Sequence, residues 1–412
     1  MKRRKFLSKF GLAASGGAIA NLFNPGRAFN LQSRIDGCSE FPDNLTISTD
    51  PEGQCDPWIE LEMNNLAWNV KETRKRVGKR PILAIVKCNA YGHGIVEMSK
   101  GMAGNGISHF GVVKVWEAVS LREKGIGSMI LNLGPFSRIE AVDVIKHDIS
   151  QSVYSDAVEI LAEEARKQHK QAKVHIKIDT GLGRIGIPMN EAGAFIEKIG
   201  VMPEIKIEGV LTVMTGKERI PGQLRDFKNI CDAAENKGIS LGYRHAASTK
   251  DVAENPETFL DMVRPGNCLY GLEPLPNMNV KPVLSLNTRV ILTKHIPAGT
   301  DIGWRNEYRI EKDTLLALLP IGYYDGFSPN VSGKADVLIK GRRYPVTGFI
   351  SADHTMIDIT GSNDISIGDV AVIIGKQGNR EVTNTEFSKH SKRSVYRTPT
   401  YLNPHMPRLV VS

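Results

Sequence analysis

The chain has 412 residues, more than one hydrophobic core usually organises (about 250–300), so two domains are expected. At 41% hydrophobic and 24% charged it has the composition of an ordinary folded protein, and no apolar stretch reaches the ~20 residues that span a bilayer, so no stable membrane anchor is expected. The formal charge of +8 would point to nucleic acid, but Lys2, Arg3, Arg4, Lys5, Lys9 and Arg27 all lie in residues 1–28 without an acid among them; the rest carries only +2 and no basic stripe, so nucleic acid is not an expected partner.

The N-terminus reads as a targeting signal. Arg3-Arg4 precedes Phe6-Leu7, and a weakly apolar run follows from Gly11 to Phe23. Gly26-Arg27-Ala28 then offers a small-x-small cleavage site. The arrangement resembles the twin-arginine export motif and implies an exported, periplasmic protein after removal of residues 1–28; a basic amphipathic helix that stays on the chain is the alternative. Residues 29–56 are rich in Asp, Ser, Asn, Pro and Gly and read as a loosely ordered arm. The arm holds Cys38 and Cys55, which either pair in an oxidising compartment or remain thiols. The five cysteines form no Cys-x-x-Cys pair and no Cys/His cluster at zinc spacing, so no metal is expected.

Regular structure begins at Trp58–Leu61, a short alternating strand, followed by a helical stretch to Arg76. A continuous apolar run at Pro81–Val86 is followed by largely apolar stretches at Phe110–Val115, Met129–Leu133 and Val174–Ile178, and Ile207–Val213 and Phe259–Val263 look similar. Helical segments separate most of them, as at Val115–Lys124, Asp156–Gln168 and Asn190–Ile199. Two-sided apolar strands alternating with helices imply a parallel sheet. Over more than 200 residues a closed (β/α)8 barrel, residues 57–280, is the leading architecture. A doubly wound open sheet is the runner-up and lacks a Gly-x-Gly-x-x-Gly turn. From residue 281 to 412 the texture changes to short strands (Val283–Leu292, Thr314–Leu319, Lys334–Ile339, Tyr344–Ile350, Met356–Ile359, Val370–Ile374) split by Gly, Pro and Asp, which reads as a mainly-β domain.

The sharpest local signal follows the first core strand: Ala84-Ile85-Val86-Lys87-Cys88-Asn89-Ala90-Tyr91-Gly92-His93-Gly94. Lys87 ends an apolar strand, and the C-terminal ends of barrel strands carry active sites. A lysine there is partly removed from water, and a neutral amine is what condensation with an aldehyde cofactor needs. Tyr91 lies in a glycine-rich turn where its hydroxyl can reach a phosphate. Taken alone, a lysine ending a strand is an ordinary rim residue. The whole string closely resembles the cofactor-lysine motif of alanine racemases, the fold-type III pyridoxal 5'-phosphate enzymes.

Further strings resemble that family in the same order. Lys177-Ile178-Asp179-Thr180-Gly181-Leu182-Gly183-Arg184 matches its second motif. The match implies that Arg184 lies by the cofactor phenolic oxygen and orients a substrate carboxylate, and that Lys177 is the lysine often carbamylated. Met262-Val263-Arg264-Pro265-Gly266 matches the segment whose arginine, here Arg264, faces the pyridine nitrogen; Gly266 then adjoins the phosphate. A permanently charged donor there disfavours protonation of the ring and moderates it as an electron sink. Gly322-Tyr323-Tyr324-Asp325-Gly326 resembles the Gly-Tyr-x-Asp-Gly motif; either tyrosine could be the match, and the spacing favours Tyr323. Racemisation needs a base on each face of the planar α-carbon. By resemblance Lys87 serves one face and Tyr323 of the partner subunit the other, which implies a homodimer with composite sites and a small amino-acid substrate. Tyr396 matches the C-terminal phosphate tyrosine, and Ser248 matches the phosphate serine more loosely.

The resemblance covers about residues 57–405 and departs in four places. Val213 stands where the family usually has a histidine packed on the cofactor ring. Ala352 replaces a methionine of the substrate pocket, while Asp353 is kept. Gly303-Trp304 stands where Gly-Tyr is common, and Ser248 sits in a changed loop. Smaller pocket residues favour amino acids longer than alanine, so strict alanine specificity and broad specificity both stay open. The competing readings are an aldolase or lyase of the same fold, and a non-catalytic pyridoxal-phosphate or amino-acid binding protein.

Overall fold

A computed structural model describes residues 57–303, 306 and 308–412; the expected signal peptide, the arm with Cys38 and Cys55, and Trp304 lie outside the described residues. The barrel is built from β2 (Leu83–Ile85), β3 (His109–Val112), β4 (Met129–Asn132), β5 (Ser150–Val153), β6 (Ala172–Asp179), β8 (Ile205–Leu211) and β9 (Tyr243–His245), parallel and side by side in that order. A two-residue strand, β7 (Ile187–Pro188), pairs with the end of β6. Residues 262–265 close the ring. Leu83 N donates to Val263 O and Ile85 N to Pro265 O, both at 2.9 Å, while Arg264 N donates to Ala247 O at 2.9 Å on the other side. The run expected at Phe259–Val263 is thereby displaced towards the C-terminus: Pro256–Thr258 is a 3-10 turn and Leu260 has φ of 49°, so extended backbone begins only after them.

The outer helices pack by their apolar stripes. The helix Val158–Lys167 buries Val158, Leu161, Ala162 and Ala165, and Met189–Gly200 buries Ala192, Phe195, Ile196 and Ile199. These recurrences at three and four residues put one face on the sheet. Each fully buried Leu, Ile or Phe contributes roughly 1.5–3 kcal/mol. Inside the barrel one sector is apolar, with Leu83, Ile85, Leu131 and Met262 packed together. The rest of the interior is polar: Ser152, His175, Lys177, His245 and Arg264 are all buried.

The second domain is one long sheet, ordered β11 (Leu292–Ile296), β14 (Thr314–Leu319), β17 (Thr355–Asp358), β16 (Arg342–Thr347), β15 (Asp336–Ile339), β18 (Val370–Gln377), β10 (Leu284–Arg289), β1 (Trp58–Glu62), β20 (Arg408–Val411). β19 (Arg380–Val382) pairs with β18, and β12 (Asp301–Ile302) and β13 (Tyr308–Arg309) form a separate two-stranded sheet. Although β1 precedes the barrel in sequence, it runs antiparallel to β10 and parallel to β20. Its side chains explain why: Ile59 and Leu61 are fully buried while Glu60 and Glu62 are half-buried, the alternation of a one-sided sheet rather than of a barrel strand. From β20, Arg408 donates to Gly92 O through Nε and Nη2 at 3.0 and 2.9 Å, tying the second domain to the loop after Lys87.

Candidate active site

Lys87 leaves the end of β2 into an unusual turn. Cys88, Asn89, Ala90 and Tyr91 all have left-handed backbone, with φ between 50° and 57°. Left-handed helix costs roughly 1–2 kcal/mol for each non-glycine residue, so four in succession need external support. Glu117 supplies it. Its carboxylate, 1% exposed, accepts N–H bonds from Cys88 (2.6 Å), Asn89 (3.3 Å), Val113 (3.1 Å) and Lys114 (3.2 Å). One buried anion thus joins the loops after β2 and β3. Asn89 Oδ1 accepts from Ile95 N at 2.8 Å and caps the next helix. Gly92 packs on the Pro399 carbonyl so closely that a Cβ would stand 1.9 Å from its oxygen.

The turn opens onto a cavity of about 440 Å³ at the C-terminal mouth of the barrel. Lys87, Tyr91, Lys177, Arg184, Val213, Ser248, Arg264, Gly266 and Tyr396 all line it. Arg264 is only 5% exposed. Its guanidinium donates to Thr212 O (2.6 Å) and Ala246 O (3.0 Å) and meets His245 Nδ1 at 3.1 Å, and none of these partners is a carboxylate. Burial pushes its pKa down to about 10, with Asp251 opposing. Lys177 is desolvated as well. Burial first, then Arg264 and Arg184, push it down to about 8. Arg184 is carried by a loop wound on Asp179: Oδ1 accepts from Gly181, Leu182 and Gly183 N at 2.9, 2.8 and 3.2 Å, and Oδ2 from Arg184 N at 3.2 Å. That winding needs positive φ at Gly181 (134°) and Gly183 (69°).

The opposite end of the cavity is rich in donors. Burial raises the Tyr91 and Tyr396 pKa values, keeping both phenols protonated. Their rings lie 5.9 Å apart. Asn267 Nδ2 donates to Tyr396 Oη at 3.1 Å. Gly266 leaves room for Tyr91: a Cβ there would stand 3.3 Å from the phenol oxygen. Ser248 lines the cavity, but its hydroxyl donates to Asp251 Oδ2 at 2.8 Å as the cap of the helix Thr249–Glu254. At this wall Ser248 therefore offers a free lone pair and the start of a helix rather than a free O–H.

Tyr323, Ala352 and Asp353 do not line this cavity. They form a second cluster in the β-domain. Tyr323 N donates to Ser351 O at 3.0 Å and Tyr324 N to Ala352 O at 2.9 Å. Gly322 packs on Ala352 so tightly that a Cβ would stand 2.3 Å from its carbonyl carbon, which is why a glycine precedes the tyrosine. Tyr323 is 54% exposed. Asp353 Oδ1 meets His354 Nδ1 at 2.9 Å and accepts from Ser351 Oγ at 3.2 Å. His354, Glu117, His175 and His245 had no functional signal in the sequence, since nothing in the order of residues shows which side chains share the barrel interior.

The cavity fits pyridoxal phosphate by its chemistry. A donor-rich end suits a phosphate, a buried guanidinium suits a ring nitrogen, and an amine at a strand end suits an aldehyde. A barrel with this site, followed by a β-domain bearing a tyrosine cluster, defines the two-domain class of fold-type III pyridoxal-phosphate enzymes. Models of the alanine racemase N-terminal domain and C-terminal domain match residues 61–274 and 283–410. The chain is 33% identical over 368 residues to alanine racemase 1 of Clostridium acetobutylicum, covering 86% of this chain and 95% of that one. It is 34% identical over 365 residues to the alanine racemase of Methanococcus maripaludis, covering 85% and 98%. The solved alanine racemase of Clostridium difficile superimposes with a TM-score of 0.83 at 28% identity, over 87% of this chain and 96% of the other. The chain belongs to the alanine racemase family, whose members depend on pyridoxal 5'-phosphate. Among the described residues no helix is long and apolar enough to cross a membrane.

Proposed function

We propose that this chain is an amino-acid racemase that interconverts L- and D-alanine and also accepts longer amino acids, working as a homodimer in the periplasm. The observation that carries the reading is the division of one reaction's groups between two places: Lys87 and Arg264 share the barrel cavity, while Tyr323 stands exposed on the β-domain outside it.

Pyridoxal phosphate, when bound, supplies the electron sink that makes the α-proton of an attached amino acid removable. Tyr91, Tyr396 and the backbone starting after Ser248 would hold its phosphate end, and Arg264 would face its ring nitrogen. Lys87 Nζ takes or returns the proton on one face of the α-carbon, and Tyr323 of the partner subunit does so on the other. Arg184 orients the substrate carboxylate, with Ala352 and Asp353 of the partner subunit bounding the substrate side chain. A neutral Lys177 amine would add carbon dioxide with release of a proton, and the carbamate would carry a negative charge near the two arginines, Arg264 and Arg184, that act on the amine.

Chiral chromatography of reactions with alanine, serine, lysine, arginine, methionine and glutamate tests the reading. Racemisation of alanine together with longer substrates is expected. Turnover of alanine alone would confine the enzyme to that substrate, and no turnover with cofactor bound through Lys87 would end the racemase reading. Export rests on Arg3-Arg4: Arg3→Lys with Arg4→Lys should leave the protein in the cytoplasmic fraction, and unaltered periplasmic recovery would remove the twin-arginine assignment.

A further inference from the structure

Three polar side chains stand in line beneath the cofactor end of the barrel. Arg264 Nη1 lies 3.1 Å from His245 Nδ1, and His245 Nε2 lies 2.9 Å from His175 Nδ1. The imidazoles meet edge to face with ring centres 5.0 Å apart. A guanidinium has only donors. His245 Nδ1 must therefore accept, and the His245 proton sits on Nε2. That N–H donates to His175 Nδ1, so the His175 proton also sits on Nε2. His175 Nε2 is buried without a hydrogen-bond partner, although the tautomer makes it a donor. Ser152, paired with His175 across β5 and β6, has a buried hydroxyl that likewise lacks a partner. Both rings are fully buried; burial first and Arg264 next push the His175 pKa down to about 3 and that of His245 well down, so both stay neutral. Room for the His175 ring comes from Gly209: a Cβ there would stand 2.3 Å from Nδ1. At the N-terminal mouth, His109, Ser150 and Glu208 line a second cavity of about 790 Å³.

We propose that His175 is a positioning residue for Arg264, acting through His245, and that His175 Nε2 and Ser152 Oγ bind a small hydrogen-bond acceptor, water or a small anion. The proposal rests on Arg264 facing the ring nitrogen of the cofactor. The column has one polarity, every donor pointing away from Arg264. A ring in the other tautomer would set two N–H groups against each other and turn the guanidinium.

The test compares His175→Leu with His175→Asn in the cofactor-loaded enzyme. Leucine removes the acceptor that His245 needs, whereas the asparagine amide oxygen can stand where Nδ1 stood. His175→Leu is expected to shift the visible absorption maximum of the cofactor and lower kcat by about tenfold with little change in KM, while His175→Asn keeps the band and kcat within about threefold. A leucine variant with wild-type spectrum and kcat overturns the proposal, as does equal impairment by both. Should the leucine variant not fold, side-chain nitrogen NMR of the wild-type holoenzyme decides: His175 and His245 must both be neutral and protonated at Nε2, and an Nδ1–H tautomer in either refutes the column. Arg264→Leu separates the two levels, because an unchanged cofactor band in that variant places the failure in the cofactor assignment instead. For the acceptor, crystals grown with and without bromide should show density between His175 Nε2 and Ser152 Oγ, anomalous if an anion binds and halide-independent if water does; no density in either removes that part of the proposal.

Discussion

The Glu117 carboxylate accepts the Cys88 N–H at 2.6 Å from the neighbouring strand's loop, and through it the backbone that follows Lys87 is held left-handed. The carboxylate is buried with four N–H donors around it, so its charge is dispersed over backbone dipoles. Glu117→Ala leaves those donors without a partner. At ~1–3 kcal/mol for each buried group left unpaired, partly recovered by rearrangement, a loss of about 3 kcal/mol is expected. Chemical denaturation of the holoenzyme measures it. Cofactor affinity should fall as well, because Lys87 and Tyr91 flank the turn. A variant as stable as wild type would show that the turn holds itself.

Lys87 and Tyr323 belong to different places in one chain, which makes a subunit-mixing experiment decisive. Lys87→Ala should lose both the bound-cofactor absorbance and activity, and Tyr323→Phe should keep the cofactor and lose interconversion. Unfolding and refolding the two variants together forms mixed dimers in which one composite site has both native residues. Recovery of about a quarter of wild-type activity is expected from equal amounts, since half the dimers are mixed and each has one good site of two. No recovery would place both residues in the same chain's site.

The barrel was legible where its strands are apolar on both faces and obscure where they are not. Pro81–Val86 announces itself, and Val174–Ile178 is legible through Val174, Ile176 and Ile178 although His175 and Lys177 between them belong to the polar interior; Ser150–Val153 and Tyr243–His245 carry more of that polar lining and show no apolar run. The closing strand was expected a few residues early because Phe259 and Leu260 are apolar, though the turn they occupy is not extended. Of the site, the residues held in contiguous strings (Lys87, Tyr91, Arg184, Arg264, Gly266) converge on one cavity. What the sequence could not reveal is contact at long range: the Glu117 staple, the His175–His245 pair, and the commitment of the Ser248 hydroxyl to Asp251 all depend on which loops and strands become neighbours.

Lys177 gives the site a pH dependence. Burial and two arginines hold its pKa at about 8, below its ordinary 10.5. At pH 7 about one amine in ten is then neutral, against about one in three thousand for an ordinary lysine. Carbamate formation consumes the neutral amine, so it should be readily established near neutrality and lost as pH falls well below 8. Carbon-13 NMR after incubation with labelled bicarbonate is expected to show one carbamate signal that disappears in Lys177→Ala. The same shift bears on stability. Between the folded value near 8 and the unfolded value near 10.5 the unfolded chain binds more protons, so the Lys177 penalty is fully present below pH 8 and is relieved as pH rises through that window. In bicarbonate-free buffer, Lys177→Met should therefore gain most over wild type below pH 8, and a gain independent of pH would refute the desolvated amine.

On the proposed reading, in which Ala352 of the partner subunit bounds the substrate, its size acts on substrate choice. Its carbonyl accepts from Tyr324 N, so its backbone is fixed beside Tyr323 and its side chain cannot be compensated by a shift of the loop. A methyl group in place of a longer side chain leaves space beside the α-carbon's substituent when the partner's cavity meets this cluster. Ala352→Met should refill it. Hydrophobic pockets distinguish substrates by about 1–3 kcal/mol per methylene, or roughly 10–200-fold. The ratio of kcat/KM for lysine or methionine to that for alanine is therefore expected to fall by at least tenfold, mainly through the longer substrates, with alanine turnover nearly unchanged. If the ratio stays the same, Ala352 does not bound the substrate side chain, and the breadth of the pocket must be set at Val213 or elsewhere on the barrel wall.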